Sequence, residues 1–148
     1  MAKDSAPGRD EFVIFKPVTT RWMDNDIYGH VNNVTYYSYF DTAVNHYLIE
    51  SGGLDIHNGE IIAFVVNSSC QYFQPVAYPD NLEVGLRVDR LGNSSVQYGV
   101  SIFRQGEQRA CAHGQFVHVF VQRQGGSATP IPAPIREALA RLSQPTQD

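Results

Sequence analysis

The sequence predicts an α+β fold in which a curved antiparallel β-sheet encloses one long, largely apolar helix. Two observations lead to this prediction. A single segment keeps apolar residues at helical spacing, and in the segments after it apolar and polar residues alternate. A helix that is apolar around most of its circumference has to be covered on several sides. The sheet that follows it in the chain is the available cover.

The first elements lead into this helix. A strand is expected from Phe12 to Val18, followed by a polar loop that contains glycine. Asn32 is a suitable N-cap, because its side-chain oxygen can accept a hydrogen bond from a free backbone N–H of the first turn. Gly52 and Gly53 are expected to end the helix. Its apolar positions are Tyr36, Tyr37, Phe40, Ala43, Val44, Tyr47 and Leu48.

Four antiparallel strands and a short terminal helix are expected after the long helix. Turn residues separate the alternating segments, and Pro75 ends the first of them. Gly92 and Gly106 stand at the hairpin turns. The expected strands are Ile61–Gln74, Leu82–Asp89, Val96–Ile102 and Arg109–Gln122, and the expected helix is Ile135–Leu142.

The length and composition indicate one globular domain. A chain of 148 residues is long enough for its own core, since folding at this size buries roughly 70% of the surface that the unfolded chain exposes. The hydrophobic fraction of 43% and the charged fraction of 18% are typical of globular proteins. We expect a flexible N-terminus over residues 1–11, one domain over 12–142 and a flexible tail over 143–148.

The charge and the apolar runs argue against several classes of protein. A net charge of −4 argues against a nucleic-acid partner, which would require a basic face. The longest apolar run, Ile61–Val66, is far shorter than the roughly 20 residues of a membrane helix. Cys70 and Cys111 lack metal-ligand spacing and the histidines are scattered, so no metal site is expected. We expect a cytoplasmic protein with neither a membrane nor a nucleic-acid partner.

The loop before the long helix carries the most specific motif. From Asp24 to Asn33 the sequence has the form Asp-x-Asp-x-x-Gly-His-Val-Asn-Asn, and Tyr36 and Tyr37 follow. This motif resembles the signature of hotdog-fold acyl-CoA thioesterases, in the branch that includes 4-hydroxybenzoyl-CoA thioesterase. The resemblance covers most of residues 12–142. Its weaker parts are Tyr72–Val76, Arg90–Val96 and Ile131–Arg136.

The resemblance implies a fold, an activity and an assembly. The implied fold is the hotdog, a sheet wrapped around one central helix. The implied activity is that of a hydrolase which cleaves an acyl-CoA thioester to the free acid and CoA, with Asp26 as the catalytic carboxylate and the backbone N–H of Asn33 as a donor to the carbonyl oxygen. Family active sites lie between two subunits, so the resemblance implies a homodimer at minimum, or a homotetramer. CoA is part of the substrate, and no separate cofactor is expected.

Thioester chemistry gives these residue types a physical reason. Hydrolysis develops negative charge on the carbonyl oxygen, and a helix N-terminus offers unsatisfied N–H groups and about half a positive charge. A nearby carboxylate can attack the carbonyl carbon or activate a water as general base, and the sequence leaves both roles open for Asp26. We expect His30 to support the loop and Gly29 to let the chain turn tightly.

Other residues compete for the same roles. Asp24, and Asp26 taken without the motif, are ordinary turn residues that hydrogen-bond their own backbone. Asp41 is the alternative catalytic acid, because some hotdog thioesterases carry the acid in the middle of the central helix. Related sequences often have an Arg where this chain has Val44, which weakens the case for Asp41. We expect an aromatic-lined cavity formed by Tyr36, Tyr37, Tyr39 and Phe40. The residues expected to bind the CoA part of the substrate are Arg90, Asn93, Ser94, Ser95 and Arg123.

Two alternative functions stay open. A hotdog enoyl-thioester hydratase pairs an acid with a histidine, as Asp26 and His30 would allow. Hydratase motifs usually run Asp-x-Asn-Pro-x-His, whereas this loop has Gly29 and no proline. Hydration of enoyl-CoA would identify a hydratase. Tight binding of acyl-CoA without turnover would identify a non-catalytic acyl-CoA-binding module.

Overall fold

One antiparallel sheet and one long helix make up most of the computed structural model, which describes residues 5–143. The sheet has five strands in the order β1-β3-β4-β5-β2. The elements are β1 (Ile14–Thr19), α1 (Asn33–Gly52), β2 (Ile61–Tyr72), β3 (Asn81–Leu91), β4 (Ser95–Arg104), β5 (Ala112–Gln122) and α2 (Ala133–Ala140). The predicted α+β hotdog fold is confirmed.

The two ends of α1 are formed by the residues that the sequence indicates. At the start, the side-chain oxygen of Asn32 accepts a hydrogen bond from the N–H of Val34 at 3.2 Å. At the end, Gly53 has a φ of 71° and its N–H donates to the carbonyl of Ile49. This left-handed conformation favours glycine and stops the helix.

The core lies between α1 and the inner face of the sheet. Alternate residues of β3 and β4 point inward, among them Leu82, Val84, Leu86, Val96, Val100 and Ile102. The helix contributes most of the apolar positions that its periodicity indicates. Tyr39, which the periodicity did not include, is also buried, and Tyr37 is only half-buried. Within residues 5–143 no helix is long and apolar enough to cross a membrane.

The start of the chain makes more contacts than its polar sequence suggests. Ala6 is buried, and the carbonyl of Pro7 accepts a hydrogen bond from the N–H of Ala110 at 2.9 Å. The guanidinium of Arg9 pairs with Glu83 at 2.8 Å and lies over the rings of Phe15 and Phe103. Residues 6–11, part of the segment expected to be flexible, thus make specific bonds to β3 and to the connection between β4 and β5. Of the two expected flexible ends, residues 1–4 and 144–148 lie outside the described residues.

Candidate active site

A pocket of about 480 Å³ lies at the N-terminal end of α1. Three segments form its walls: the loop before the helix, the first helical turn and the chain that leaves β2. The lining residues are Asp26, His30, Val31, Asn33, Tyr36, Tyr72, Phe73, Gln74 and Pro75. The pocket therefore brings Asp26, His30 and Asn33, which the motif singled out, together with a wall that comes from a distant part of the chain.

The loop around Asp26 is a tight turn closed by its own backbone. The N–H of Asp26 donates to the carbonyl of His30 at 2.8 Å, and the N–H of Gly29 donates to the carbonyl of Asp26 at 3.0 Å. Gly29 has a φ of 83°, in the left-handed region where a side chain would add strain. These bonds fix the position of the Asp26 side chain at the pocket.

The two oxygens of the Asp26 carboxylate differ. Oδ1 accepts a hydrogen bond from the N–H of Tyr28 at 2.9 Å, which is the turn interaction expected of an aspartate at this place. Oδ2 has no hydrogen-bond partner among residues 5–143, and the side chain is half-buried. One oxygen thus holds the side chain in place, and the other is available to a molecule in the pocket.

The first turn of α1 leaves the N–H of Asn33 without an acceptor in the described part of the chain, and Asn33 lines the same pocket as Asp26. The N–H of Val34 is taken by the side chain of Asn32, and that of Thr35 donates to the Asn32 carbonyl at 2.9 Å. A free N–H at a helix N-terminus, where the helix dipole adds positive potential, is suited to binding a developing oxyanion.

The wall opposite the loop was not predicted as part of the site. The N–H groups of Phe73 and Gln74 both donate to the carbonyl of Cys111, at 2.8 and 3.1 Å, so β2 ends in an irregular turn. The rings of Tyr36 and Tyr72 pack edge to face with 4.9 Å between their centroids. Burial raises the pKa of Tyr36 to about 12, so its hydroxyl stays protonated. Two sequence signals fall on this wall: Pro75, which ends the strand, and Tyr72–Val76, a weaker part of the family resemblance.

Asp24 lies in the same loop but does not line the pocket. Its carboxylate is 2% exposed and accepts hydrogen bonds from the Tyr39 hydroxyl at 2.7 Å and from the backbone and guanidinium of Arg21 at 2.9 to 3.2 Å. Burial pushes the pKa of Asp24 up, but these hydrogen bonds and the Arg21 charge outweigh it and hold the pKa below its ordinary value. Asp24 therefore joins the loop to α1.

Asp41 is exposed and lies in a different depression. That depression is lined by Tyr37, Ser38, Asp41, Val65, Ser68 and Phe116. The Asp41 carboxylate accepts a hydrogen bond from the side chain of Asn45 at 3.0 Å. In a single chain Asp41 and Asp26 thus belong to separate surfaces. The expected aromatic cavity is divided as well, because Tyr36 lines the pocket whereas Tyr39 and Phe40 are buried in the core.

The residues expected to bind CoA lie outside the pocket. Arg90, Asn93, Ser94 and Ser95 are at the connection between β3 and β4, where the carbonyls of Asn93 and Ser94 accept backbone hydrogen bonds. The Arg123 guanidinium donates to the carbonyls of Gly59 and Ile56, both at 2.7 Å, and so holds the loop before β2. Within residues 5–143 no group of three or more His, Cys, Asp or Glu could hold a metal ion.

His30 contributes its backbone to the loop. Its carbonyl accepts from Asp26, while its side chain is exposed and has no hydrogen-bond partner among the residues that the structure describes. The interaction that supports the loop is therefore made by the main chain. The imidazole lies at the pocket, where a bound molecule would meet it.

Comparison with known proteins identifies the family of the chain. A family model described as the thioesterase-like superfamily matches residues 18–139. The chain belongs to the thioesterase-like superfamily. Membership supports hydrolysis of a thioester, and it confirms the resemblance found in the motif.

The proteins to which the chain is similar range from high to low sequence identity. The crystal structure of the PA5185 protein from Pseudomonas aeruginosa is 60% identical, with a TM-score of 0.94 over 96% of this chain and 99% of that one. A 1,4-dihydroxy-2-naphthoyl-CoA thioesterase from Synechocystis is 21% identical, with a TM-score of 0.77 over 85% and 94%, and shares the fold. The uncharacterized Bacillus subtilis protein YsmA is 26% identical over 81% of this chain and 80% of its own length.

Proposed function

We propose that this protein is an acyl-CoA thioesterase that hydrolyses its substrate to the free acid and CoA. The observation that carries the proposal is that a free carboxylate oxygen of Asp26 and a free N–H of Asn33 line one pocket. Acyl transfer needs a group that attacks the carbonyl carbon or activates a water to attack it. It also needs a fixed hydrogen-bond donor for the oxyanion. This pair supplies the two.

Each group has a defined part in the proposed reaction. The thioester oxygen accepts a hydrogen bond from the N–H of Asn33. Oδ2 of Asp26 either attacks the carbonyl carbon, giving a mixed anhydride that water then hydrolyses, or takes a proton from the water that attacks. The carbon–sulfur bond breaks and CoA leaves as a thiolate, whose low basicity removes the need for a strong general acid, since a Cys-like thiol has a pKa of about 8.5. Gly29 shapes the turn, and His30 supports it.

The choice of CoA as the carrier is supported by a relative and by candidate side chains. The Synechocystis protein with the same fold is named as a CoA thioesterase. Arg90, Asn93, Ser94 and Ser95 remain the candidates for the CoA nucleotide, whereas Arg123 is already engaged with two carbonyls. We place the reaction in the cytoplasm, with no cofactor besides the substrate's own CoA and no nucleic-acid or membrane partner.

We further propose that the working unit is a homodimer formed through β2, or a homotetramer made of two such dimers. β2 is an edge strand of 12 residues that contains no charge and no proline. Phe64, Val65 and Val66 are 50%, 44% and 58% exposed on it. A long, uncharged edge of this kind pairs readily with another strand. A mass in solution that corresponds to a single chain would contradict this assembly.

Release of free thiol from a panel of aliphatic and aromatic acyl-CoA substrates tests the proposed activity. We expect the wild-type protein to release thiol, and Asp26→Asn to lower kcat/KM by at least about 10²-fold, as for loss of a reacting group or oxyanion donor. The matched control is Asp41→Asn, which makes the same change on a different surface and should retain the wild-type rate within about twofold.

Other outcomes would point elsewhere. Loss of activity in Asp41→Asn with retention in Asp26→Asn would move the site to the helix. Hydration of enoyl-CoA without thiol release would identify a hydratase. Tight binding without turnover would identify a binding module.

A further inference from the structure

We propose that the side-chain amide of Gln74 is a second hydrogen-bond donor to the bound substrate, and that Arg104 positions it. This inference rests on the proposed thioesterase function. It extends that function to a residue on the far wall of the pocket, outside the loop and helix that carry the motif.

The partners of Gln74 determine which end of its amide is free. Gln74 is half-buried and lines the pocket with Asp26 and Asn33. Its side-chain oxygen accepts a hydrogen bond from the Arg104 guanidinium at 3.3 Å. A guanidinium only donates, so the amide must turn its oxygen toward Arg104. The remaining NH2 has no acceptor within residues 5–143, and it is the group that a substrate oxygen would meet.

Gln74 is held at both ends before any substrate binds. Its backbone N–H donates to the Cys111 carbonyl at 3.1 Å, and Arg104 holds the tip of the side chain. A donor fixed in this way loses little conformational freedom on binding and reorganises little during the reaction.

Arg104 is itself fixed by groups around the wall. Its Nε donates to the Asp80 carboxylate at 3.3 Å, another nitrogen donates to the Pro75 carbonyl, and Glu107 lies 3.6 Å away. The planar guanidinium can serve these acceptors together with Gln74 because its donors point in fixed, divergent directions. Arg104 therefore joins the wall segment to β4 and sets the orientation of the Gln74 amide.

The ligand group that fits an amide NH2 is a carbonyl oxygen. An acyl-CoA offers one at the thioester and others in the amides of its pantetheine arm. A donor to the thioester oxygen gains strength as charge develops and acts on kcat, whereas a donor to an arm amide acts on KM. The kinetic parameter that changes therefore identifies the oxygen.

Gln74→Glu is the main test, because it replaces the NH2 by an oxygen and keeps the size and the bond to Arg104. We expect kcat/KM for acyl-CoA to fall by about 10- to 10²-fold, with an unchanged melting temperature. The matched control is Gln115→Glu, which makes the same change at an exposed β5 residue outside the pocket and away from the β2 edge, and it should stay within about twofold of wild type.

A double-mutant cycle tests the positioning role of Arg104. Arg104→Met should lower kcat/KM in the wild-type background, Arg104→Lys should lower it less, and Arg104→Met should add nothing in a Gln74→Ala background. A merely structural role would give the same loss in both backgrounds and would overturn the role of Arg104.

The failure of this inference differs from the failure of the proposed function. Wild-type kinetics in Gln74→Glu, combined with lost activity in Asp26→Asn, would overturn only the role of Gln74. A wild-type protein that releases no thiol would overturn both.

Discussion

Asp24 and Asp26 stand two positions apart in one loop and have opposite environments. Asp24 is 2% exposed, and donors from Tyr39 and Arg21 occupy both of its oxygens. Asp26 is half-buried, with one oxygen bound by the N–H of Tyr28 and the other open to the pocket. Both oxygens of the Asp24 carboxylate are thus hydrogen-bonded within the protein, whereas one oxygen of Asp26 is available to a ligand.

The difference shows that the hydrogen-bond partners, and not the residue type, distinguish a carboxylate with a structural role from one that is available to a ligand. The donors to Asp24 come from α1 and from the chain before the loop, so that side chain fastens the loop to the helix. The single donor to Asp26 comes from within its own turn. Removal of each carboxylate should therefore affect a different property of the protein.

The largest expected effect is on the stability of the Asp24 variant. Asp24→Asn should lower the free energy of unfolding by about 2–3 kcal/mol, because it removes hydrogen bonds that depend on a buried charge. Asp26→Asn should change it by less than about 0.5 kcal/mol while it lowers activity. Urea unfolding of both variants at one protein concentration measures this contrast. Equal destabilisation by the two substitutions would abolish the distinction between the acids.

A smaller loss is expected when one donor to Asp24 is removed. Tyr39→Phe deletes the hydroxyl that donates at 2.7 Å. It should lower the free energy of unfolding by about 1 kcal/mol, the usual contribution of one such bond. Tyr37→Phe is the control, because the Tyr37 hydroxyl has no hydrogen-bond partner in the described part of the chain. A loss in Tyr37→Phe as large as in Tyr39→Phe would mean that the bond to Asp24 is not its cause.

The smallest effect should appear in the acid dependence of stability. The pKa of Asp24 is held below its ordinary value in the folded protein. Its contribution is present above the pKa of the unfolded chain, about 3.9, and is lost as the pH falls through the folded pKa. Between pH 5 and pH 3, the free energy of unfolding should fall more steeply for the wild type than for Asp24→Asn. The difference between the two slopes should be less than roughly 1.4 kcal/mol per pH unit, the value for the uptake of one whole proton. If the free energy of unfolding depended on pH in the same way for wild type and Asp24→Asn, Asp24 would make no contribution to the acid sensitivity of the protein.

The local patterns of the sequence predict the elements well but their ends less well. The N-cap at Asn32 and the glycine that ends α1 were predictable, because capping depends on residues adjacent to the helix. The last strand begins at Ala112 and not at Arg109, because Ala110 and Arg109 bond instead to the N-terminal segment. No local pattern indicates that partner.

The candidate site was predictable on one side only. Asp26 and Asn33 belong to one continuous motif, and the structure places both at one pocket. Gln74 follows the end of β2 and Arg104 is the last residue of β4, and a side-chain hydrogen bond of 3.3 Å joins them. Their pairing depends on how the chain leaves β2 and returns along β4, which sequence spacing does not express.

By itself, the sequence determined that one apolar helix is enclosed by an antiparallel sheet and that a polar, glycine-containing turn delivers the chain to the helix start. Periodicity and turn chemistry are local properties, so they can be derived from neighbouring residues. The tertiary structure decided that both oxygens of Asp24 are hydrogen-bonded within the fold and that Asp26 keeps one free oxygen. It also decided that the segment at the end of β2 completes the pocket wall. Burial and hydrogen-bond partners are set by segments distant in the chain, and only folding brings those segments together.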